Sequence, residues 1–418
     1  MLANLLYAHW PYQIFKSVFF RGGVAFLTTY ALIVMLMPPL IRRFRRLGLA
    51  SDFGPESASG RPYGGAKPIM GGVLLVLAIV FSMLLWMEWN QFMAALILIM
   101  LAFGAIGAWD DLAKIAQRRR IERGQEQRKS YSDKADGASG SVRLLAEFLV
   151  AGLVVLALYH FVTIDGHLVV PGIPLKWWYP YLPRYLFVPF MVLIIVAGAN
   201  AVNLTDGMDS LATVPILTCT LFVAAVAFVG SDPELAVRLK LPVLPATLKE
   251  LLVVGAAILS AGFAFLRFNS PPAMIILGDM GALALGAAVS TMFIFAKVEL
   301  FLPLVGGVFL LTTVSTIVQR VFFKWMLWRK GREVATRVRF FYRAPYHHHL
   351  QALWHYTENE PQIVSVWTEW LKRIGIRPPA TEDQLIRTED VNSRVIWRIH
   401  MISIWLVVVA LVVYFKVR

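Results

Sequence analysis

Five aspartates carry the chemistry of this sequence. Asp110 and Asp111 lie in AWDDLAK, Asp206 and Asp209 in NAVNLTDGMDSLA, and Asp279 in ILGDMGALALG. Each sits at the edge of a long apolar run. Carboxylates at membrane depth are costly and face a cavity or a partner. One such Asp is explained by a helix cap or a nearby Lys, but five gathered on one face beside Gly-rich turns need a shared reason. Hard oxygen ligands suit Mg²⁺, which uses one or two carboxylates, several waters and substrate phosphates. The ion then offsets charge on a departing pyrophosphate, while a spare carboxylate orients or deprotonates the attacking group. The chemistry expected is phosphoryl transfer with Mg²⁺.

Other polar residues join these by spacing. Lys114 follows Asp110 by four residues and Asp111 by three, so on a helix it shares their face and is placed to pair with them or to touch phosphate. A lysine snorkelling from a helix end is the alternative. Asn200 and Asn203 precede Asp206 at three-residue steps, and Asp209 follows three later, so a near-helical turn lines them along one side. Thr205–Asp206–Gly207 reads as a helix break and N-cap. RAPYHHHL places His347, His348 and His349 in succession. Three adjacent rings on a regular element do not converge on one metal, so phosphate or leaving-group contact is the more natural use. A surface histidine cluster or an adventitious metal site is the alternative.

The elements that position these residues are membrane spans. Of 418 residues, 58% are hydrophobic and only 16% charged, against roughly 25% charged in soluble domains. Ten spanning helices are expected: about Val24–Leu40, Met70–Met87, Phe92–Trp109, Val142–Phe161, Tyr185–Ala199, Leu211–Val229, Leu251–Leu266, Gly281–Ala296, Leu300–Phe322 and Ile399–Tyr414. The fold class is therefore all-α and polytopic, a single integral-membrane domain over residues 1–418. A flexible loop insertion is expected over 117–140. An extended loop carrying the histidines is expected over 324–398, with an amphipathic helix near Val364–Ile374.

The net charge of +14 is read as topology and lipid headgroup contact, not nucleic acid, because the basic residues lie between spans. The loop after the first span carries Arg42, Arg43, Arg45, Arg46, Arg61 and Lys67. The loop after the third carries Lys114, Arg118, Arg119, Arg120, Arg123, Arg128, Lys129 and Lys134, and the alternate loops are sparse in Lys and Arg. The positive-inside rule puts these loops, all five aspartates and an active-site cleft on the cytoplasmic face, with both termini opposite. The lone Cys219 lies in an apolar run and excludes an intrachain disulfide.

Taken together, the motifs resemble the bacterial phospho-N-acetylmuramoyl-pentapeptide-transferase family, within the polyprenyl-phosphate N-acetylhexosamine-1-phosphate transferase superfamily. The resemblance covers nearly the whole chain: PIMGG at Pro68–Gly72, similar to the family's PTMGG, then DDLAK, NLTDGMDSLA, FNSPPAMIILGDMGALALG and APYHHHL, up to the last span. It implies a multi-pass enzyme of the cell inner membrane. The donor would be UDP-N-acetylmuramoyl-pentapeptide, the acceptor undecaprenyl phosphate, and the products a lipid-linked peptidoglycan precursor and UMP.

By the same resemblance Asp279, with Asp206, would hold Mg²⁺. Asp110 would orient or deprotonate the acceptor phosphate, with Asp111 beside it. Lys114, Asn200, Asn203, Asp206 and Asp209 would hold the donor. Asn269 would lie near the uracil, and His347, His348 and His349 would contact the donor phosphates or the sugar-peptide portion. Membrane lipid is an expected partner and a homodimer is allowed.

The chain departs from the family pattern at Ile69, Ile276, Met280 and Ala282, and has Arg61 and Lys67 where the family carries a lysine pair at shifted positions. The nearest rival is a sister transferase moving N-acetylglucosamine-1-phosphate to the same carrier, from which the APYHHHL loop separates this chain. A transporter would spread its carboxylates through membrane depth, and a silent scaffold would release no UMP.

Overall fold

The computed structural model describes residues 2–51, 67–124, 140–161, 166–174, 177–359, 363–374 and 388–416. Fifteen α-helices are present among them: α1 Leu2–His9, α2 Val18–Arg46, α3 Gly72–Trp86, α4 Gln91–Glu122, α5 Gly140–Phe161, α6 Arg184–Thr205, α7 Thr213–Gly230, α8 Pro233–Arg238, α9 Leu251–Asn269, α10 Gly278–Phe295, α11 Leu302–Val305, α12 Gly307–Arg337, α13 Tyr346–Asn359, α14 Val366–Arg373 and α15 Thr388–Lys416. Among the described residues the only strands are two-residue pieces: β1 (Ala50–Ser51) pairs antiparallel with β2 (Lys67–Pro68), and β3 (Val338–Arg339) parallel with β4 (Val364–Ser365).

Nine of the described helices are long and apolar enough to cross a bilayer, and the shorter apolar α3 supplies a tenth segment in the expected order. The protein is an all-α multi-pass membrane protein. A lipid solvent leaves each span no choice but to close its own backbone hydrogen bonds, which is why helices carry the whole fold.

The centre of the bundle is α10, buried at every position from Gly281 to Phe295. It packs against α3, α4, α6 and α7. Small residues let backbones meet there. A Cβ on Gly72 would fall 2.2 Å from the Gly281 Cα, and one on Gly107 would fall 2.4 Å from the Asp279 carbonyl oxygen. Gly107 stands one turn before Asp111, so this close crossing of α4 and α10 brings DDLAK against the start of GDMGA. Around this centre α2 packs on α9 and α3, and α15 on α7.

The two ends of the bundle are built differently. At one end Arg21, buried on α2, makes two hydrogen bonds to Glu250 (2.6 and 2.7 Å), and Glu250 also accepts the Glu88 N–H (2.9 Å). This clamp fixes the starts of α2 and α9 to the end of α3. The opposite end gathers the five aspartates.

Two boundaries differ from those read in the sequence. Helix α4 continues through Gln117 to Glu122, inside the segment assigned to a loop, because the Arg-rich stretch simply extends the span past the apolar region. Residues 125–139 of that loop lie outside the described residues. Within 324–398, α12 runs on to Arg337 with a non-helical Gly331 (φ 81°), and α13, α14 and the first turns of α15 follow.

Candidate active site

The N-terminus of α10 organises the site. Asp111, from α4, accepts the N–H groups of Asp279 (3.3 Å) and Met280 (3.2 Å), and Asp206 accepts the N–H of Gly278 (3.2 Å). Two carboxylates thus satisfy the orphan donors of a single helix start, where the macrodipole also favours negative charge. Gly278 is at φ 78°, and a Cβ there would fall 2.9 Å from Asp111 Oδ2, so the turn and the carboxylate fit only around glycine. The segment before α3 braces the same turn: Gly71 N–H donates to the Ile276 carbonyl and Gly72 N–H to the Leu277 carbonyl, each at 2.9 Å.

Beside this cap, Asp110 and Asp279 share two cations. Lys114 Nζ lies 3.0 Å from Asp110 Oδ2 and 2.8 Å from Asp279 Oδ2. Arg143 Nη1 lies 3.1 Å from each of the same oxygens. Arg143 is in turn held by the fully buried Glu147 (Nε–Oε1 3.4 Å) and by Asn200 Oδ1 (3.2 Å), and the Asn200 amide donates to Glu147. Five carboxylates (Asp110, Asp111, Glu147, Asp206 and Asp279) therefore stand against two cations. That acidic excess, made of hard oxygens, fits Mg²⁺. Among the described residues no three His, Cys, Asp or Glu side chains form a ready-made metal cage.

The sequence reading missed Arg143 and Glu147. Both sit inside what reads as the start of an ordinary span, about one turn apart. The signal available was their i, i+4 spacing, which puts opposite charges on one helix face.

The NLTDGMD run is not one helical line. Helix α6 ends at Thr205, and Asp206 is its C-cap, not the N-cap expected from the sequence; its carboxylate reaches across to α10 instead. Asn200 and Asn203 are on α6, with Asn203 half-buried one turn before the break. Burial holds the Asp206 carboxyl well above the usual range, opposed by the Gly278 hydrogen bond and supported by the charges of Asp279, Asp111 and Asp209. Asp209 pairs with Lys67 (2.7 and 2.9 Å) and accepts the Ala273 N–H (2.9 Å).

Asn269, expected near a base, lies beneath the site. It is 1% exposed. Its Oδ1 accepts Ser210 N–H (2.9 Å) and its Nδ2 donates to the Ile275 carbonyl (2.9 Å). In this arrangement the amide ties the Asp206–Ser210 turn to the segment that leads into α10.

The three histidines occupy the first turn of α13, so successive rings point about 100° apart. His347 and His348 face the Asp206 turn: a Cβ on Gly207 would fall 2.7 Å from His347 Nε2 and 3.6 Å from His348 Nε2. His348 Nδ1 donates to Gln351 Oε1 (2.6 Å), which leaves its Nε2 toward Gly207. Among the described residues neither ring nitrogen of the buried His347 has a hydrogen-bond partner. His349 turns away. Its Nδ1 accepts the Tyr342 N–H (3.2 Å) and its ring packs among Phe341, Tyr342 and Tyr346, a structural placement rather than the substrate contact expected. Burial lowers all three imidazoles, His349 to about 4 and His347 well below the usual range. At neutral pH the site therefore meets its ligand with uncharged rings.

A fold of lipid-crossing helices whose tips deliver carboxylates, cations and imidazoles to one end defines a membrane-embedded centre for handling phosphates. Comparison with known proteins agrees: the sequence model of Glycosyl transferase family 4 matches residues 92–297. The phospho-N-acetylmuramoyl-pentapeptide-transferase of Aquifex aeolicus (strain VF5) is 34% identical over 357 residues, covering 84% of this chain and 90% of that protein. The protein of the same name from Ruegeria sp. (strain TM1040) is 35% identical over 352 residues, covering 81% and 88%. The chain belongs to the phospho-N-acetylmuramoyl-pentapeptide-transferase family.

Proposed function

We propose that this protein transfers phospho-N-acetylmuramoyl-pentapeptide from its UDP-linked donor to undecaprenyl phosphate, releasing UMP, at the cytoplasmic face of the inner membrane. The observation that carries the reading is the Asp110–Lys114–Arg143–Asp279 cluster at the tips of three spans. An end of the spans is where a lipid phosphate and a soluble nucleotide would meet. The basic loops next to α2 and α4 support a cytoplasmic orientation.

Each residue then has a task. Asp110 orients the acceptor phosphate, or takes its proton, for in-line attack on the donor's sugar-linked phosphorus. Lys114 and Arg143 hold Asp110 and Asp279 in register and meet the phosphate charge. Asp279 and Asp206 would hold Mg²⁺, which supplies electrostatic stabilisation of the diphosphate when bound. Asp111 fixes the start of α10. The neutral ring of His347 offers one hydrogen bond to a donor oxygen across the Asp206 turn, and His348 Nε2, whose ring proton is used at Gln351, accepts one from a donor hydroxyl or amide. Asp209 and Lys67 close the same edge.

The test is purified protein in detergent with undecaprenyl phosphate and each candidate UDP-sugar, following UMP. Release only with the muramoyl-pentapeptide donor, lost on chelation and restored by Mg²⁺, is expected. Release with UDP-N-acetylglucosamine would assign the sister activity, and metal-independent release would remove the proposed ion.

A further inference from the structure

Outside the site, α14 presents an apolar face with no protein against it among the described residues. Val366, Trp370 and Ile374 follow one another at i, i+4 and i+8, and are 38%, 49% and 52% exposed. The opposite face is fixed. Ser365 caps the helix by accepting the Thr368 N–H (3.3 Å), and Trp367 N–H donates to the Phe340 carbonyl (3.0 Å). The pairing of β3 with β4 ties the entry of α14 to the exit of α12. A file of rings then joins the two helices: Trp325, Phe322, Phe340, Trp367 and Trp370, with centroids 5.8, 5.7, 6.2 and 5.1 Å apart. Helix α14 is therefore a rigid outrigger of α12, held so that its Val-Trp-Ile stripe looks outward.

What covers that stripe follows from continuity and charge. On α12 the exposed residues Val314, Ile317, Val321, Trp325 and Trp328 repeat at three- and four-residue steps, one unbroken lipid-facing line. Up to the non-helical Gly331, α12 runs about 36 Å at 1.5 Å per residue, past the roughly 30 Å hydrocarbon core. Its apolar line thus continues past the core into the headgroup layer, where tryptophans concentrate. Basic residues accumulate there: from Arg320 to Ile374 the sequence holds ten Lys and Arg against four Glu. Arg329 stacks over Trp325 (5.4 Å), and Lys372 and Arg373 flank the α14 stripe.

We infer that α14, with the Trp325–Arg332 end of α12, is an in-plane anchor that inserts its Val366–Trp370–Ile374 stripe into the bilayer surface and binds anionic lipid headgroups through the surrounding Lys and Arg. An amphipathic helix of this kind is held both by buried apolar area and by attraction to acidic lipid. None of its residues belongs to the proposed active site, so the anchor stands or falls independently of the reaction.

The test uses the full chain with Cys219, which is fully buried, replaced by Ala. Single cysteines are introduced as Val366→Cys, Trp370→Cys and Glu369→Cys, spin-labelled, and the protein is reconstituted into phosphatidylcholine vesicles with and without phosphatidylglycerol. Labels at 366 and 370 should be open to oxygen and closed to a water-soluble nickel chelate in the anionic vesicles, while the label at 369 stays open to nickel. Lys372→Gln with Arg373→Gln should weaken the shift on adding phosphatidylglycerol by about fivefold per residue.

Nickel access at 366 and 370 in both vesicles would overturn the inference, because the stripe would then face water. Exclusion of both oxygen and nickel would also overturn it, since a protein partner or second copy must then cover the stripe. A shift reproduced in neutral vesicles by inorganic phosphate alone would show a soluble-anion site instead. The two apolar positions are read separately, and each variant's thermal midpoint is checked against the parent, so a single misfolded variant does not decide the result.

Discussion

Replacing Gly207 with alanine would place a methyl group 2.7 Å from His347 Nε2, 3.4 Å from its Cε1 and 3.6 Å from His348 Nε2. Non-bonded heavy atoms settle at about 3.5–4.0 Å, so the overlap is close to 1 Å. Gly207 is not in the left-handed backbone region, so the alanine carries no torsional penalty and the effect is purely one of contact. His347 is 1% exposed and has no open side to swing into. Either its ring shifts with the first turn of α13 or the Asp206 turn gives way. Overpacking of this kind costs about 1–3 kcal/mol. A displacement near 1 Å in a positioning group lowers turnover by up to about 10²-fold.

The assays are UMP release at saturating donor and thermal unfolding in detergent. Gly23→Ala, where no atom lies within 4 Å of the new Cβ, serves as the control and should be neutral or slightly stabilising. Adding His347→Ala to Gly207→Ala should recover part of the lost stability, with a coupling of about 1–2 kcal/mol. A Gly207→Ala protein with parental turnover and midpoint would refute the placement of His347 against the Asp206 turn.

Three other outcomes are expected. Glu147→Ala removes the carboxylate behind Arg143 and should lower kcat roughly tenfold with little change in KM, while Glu147→Gln, which keeps the Asn200 hydrogen bond, recovers most of the rate; equal loss in both would point to a packing role. Arg21→Met leaves the buried Glu250 without its cation at the far end of the bundle and should destabilise by about 3–5 kcal/mol, read as a lowered unfolding midpoint with unchanged KM. The buried histidines are neutral in the folded protein but take up protons in the unfolded chain below the ordinary value of 6.5, so stability is full above that pH and falls as pH drops toward 4. His349→Gln should flatten part of that fall, by about 1.4 kcal/mol for each pH unit between the two values; an unchanged pH profile would place the protons elsewhere.

Hydrophobicity makes the spans legible without a structure. A run of about 20 apolar residues has one stable form in lipid, a helix, so the ten segments and the end at which Asp110, Asp206 and Asp279 emerge follow from composition alone. Their suitability for a centre that holds a divalent ion and phosphates is also a matter of residue type. What composition does not encode is which backbone donor each carboxylate meets. Asp206 reads as a local N-cap, yet it serves a helix more than seventy positions later, because burial leaves the Gly278 N–H no other partner. Arg143 and Glu147 read as the edge of a span, and become central only when α5 packs against α4 and α6.

The histidine triplet divides along the same line. Its presence is a fact of sequence, but a helix turns each successive ring by about 100°. Docking α13 against the Asp206 turn therefore sends His347 and His348 to the site and His349 into an aromatic pocket. Asn269 shows the converse: its polarity marks it as a ligand contact, and only packing reveals that both ends of its amide are already used. The sequence determined the lipid solvent, the helices and the acidic tips, since those depend on local composition. The tertiary structure decided the partners, because partners depend on which backbones glycine lets approach within touching distance.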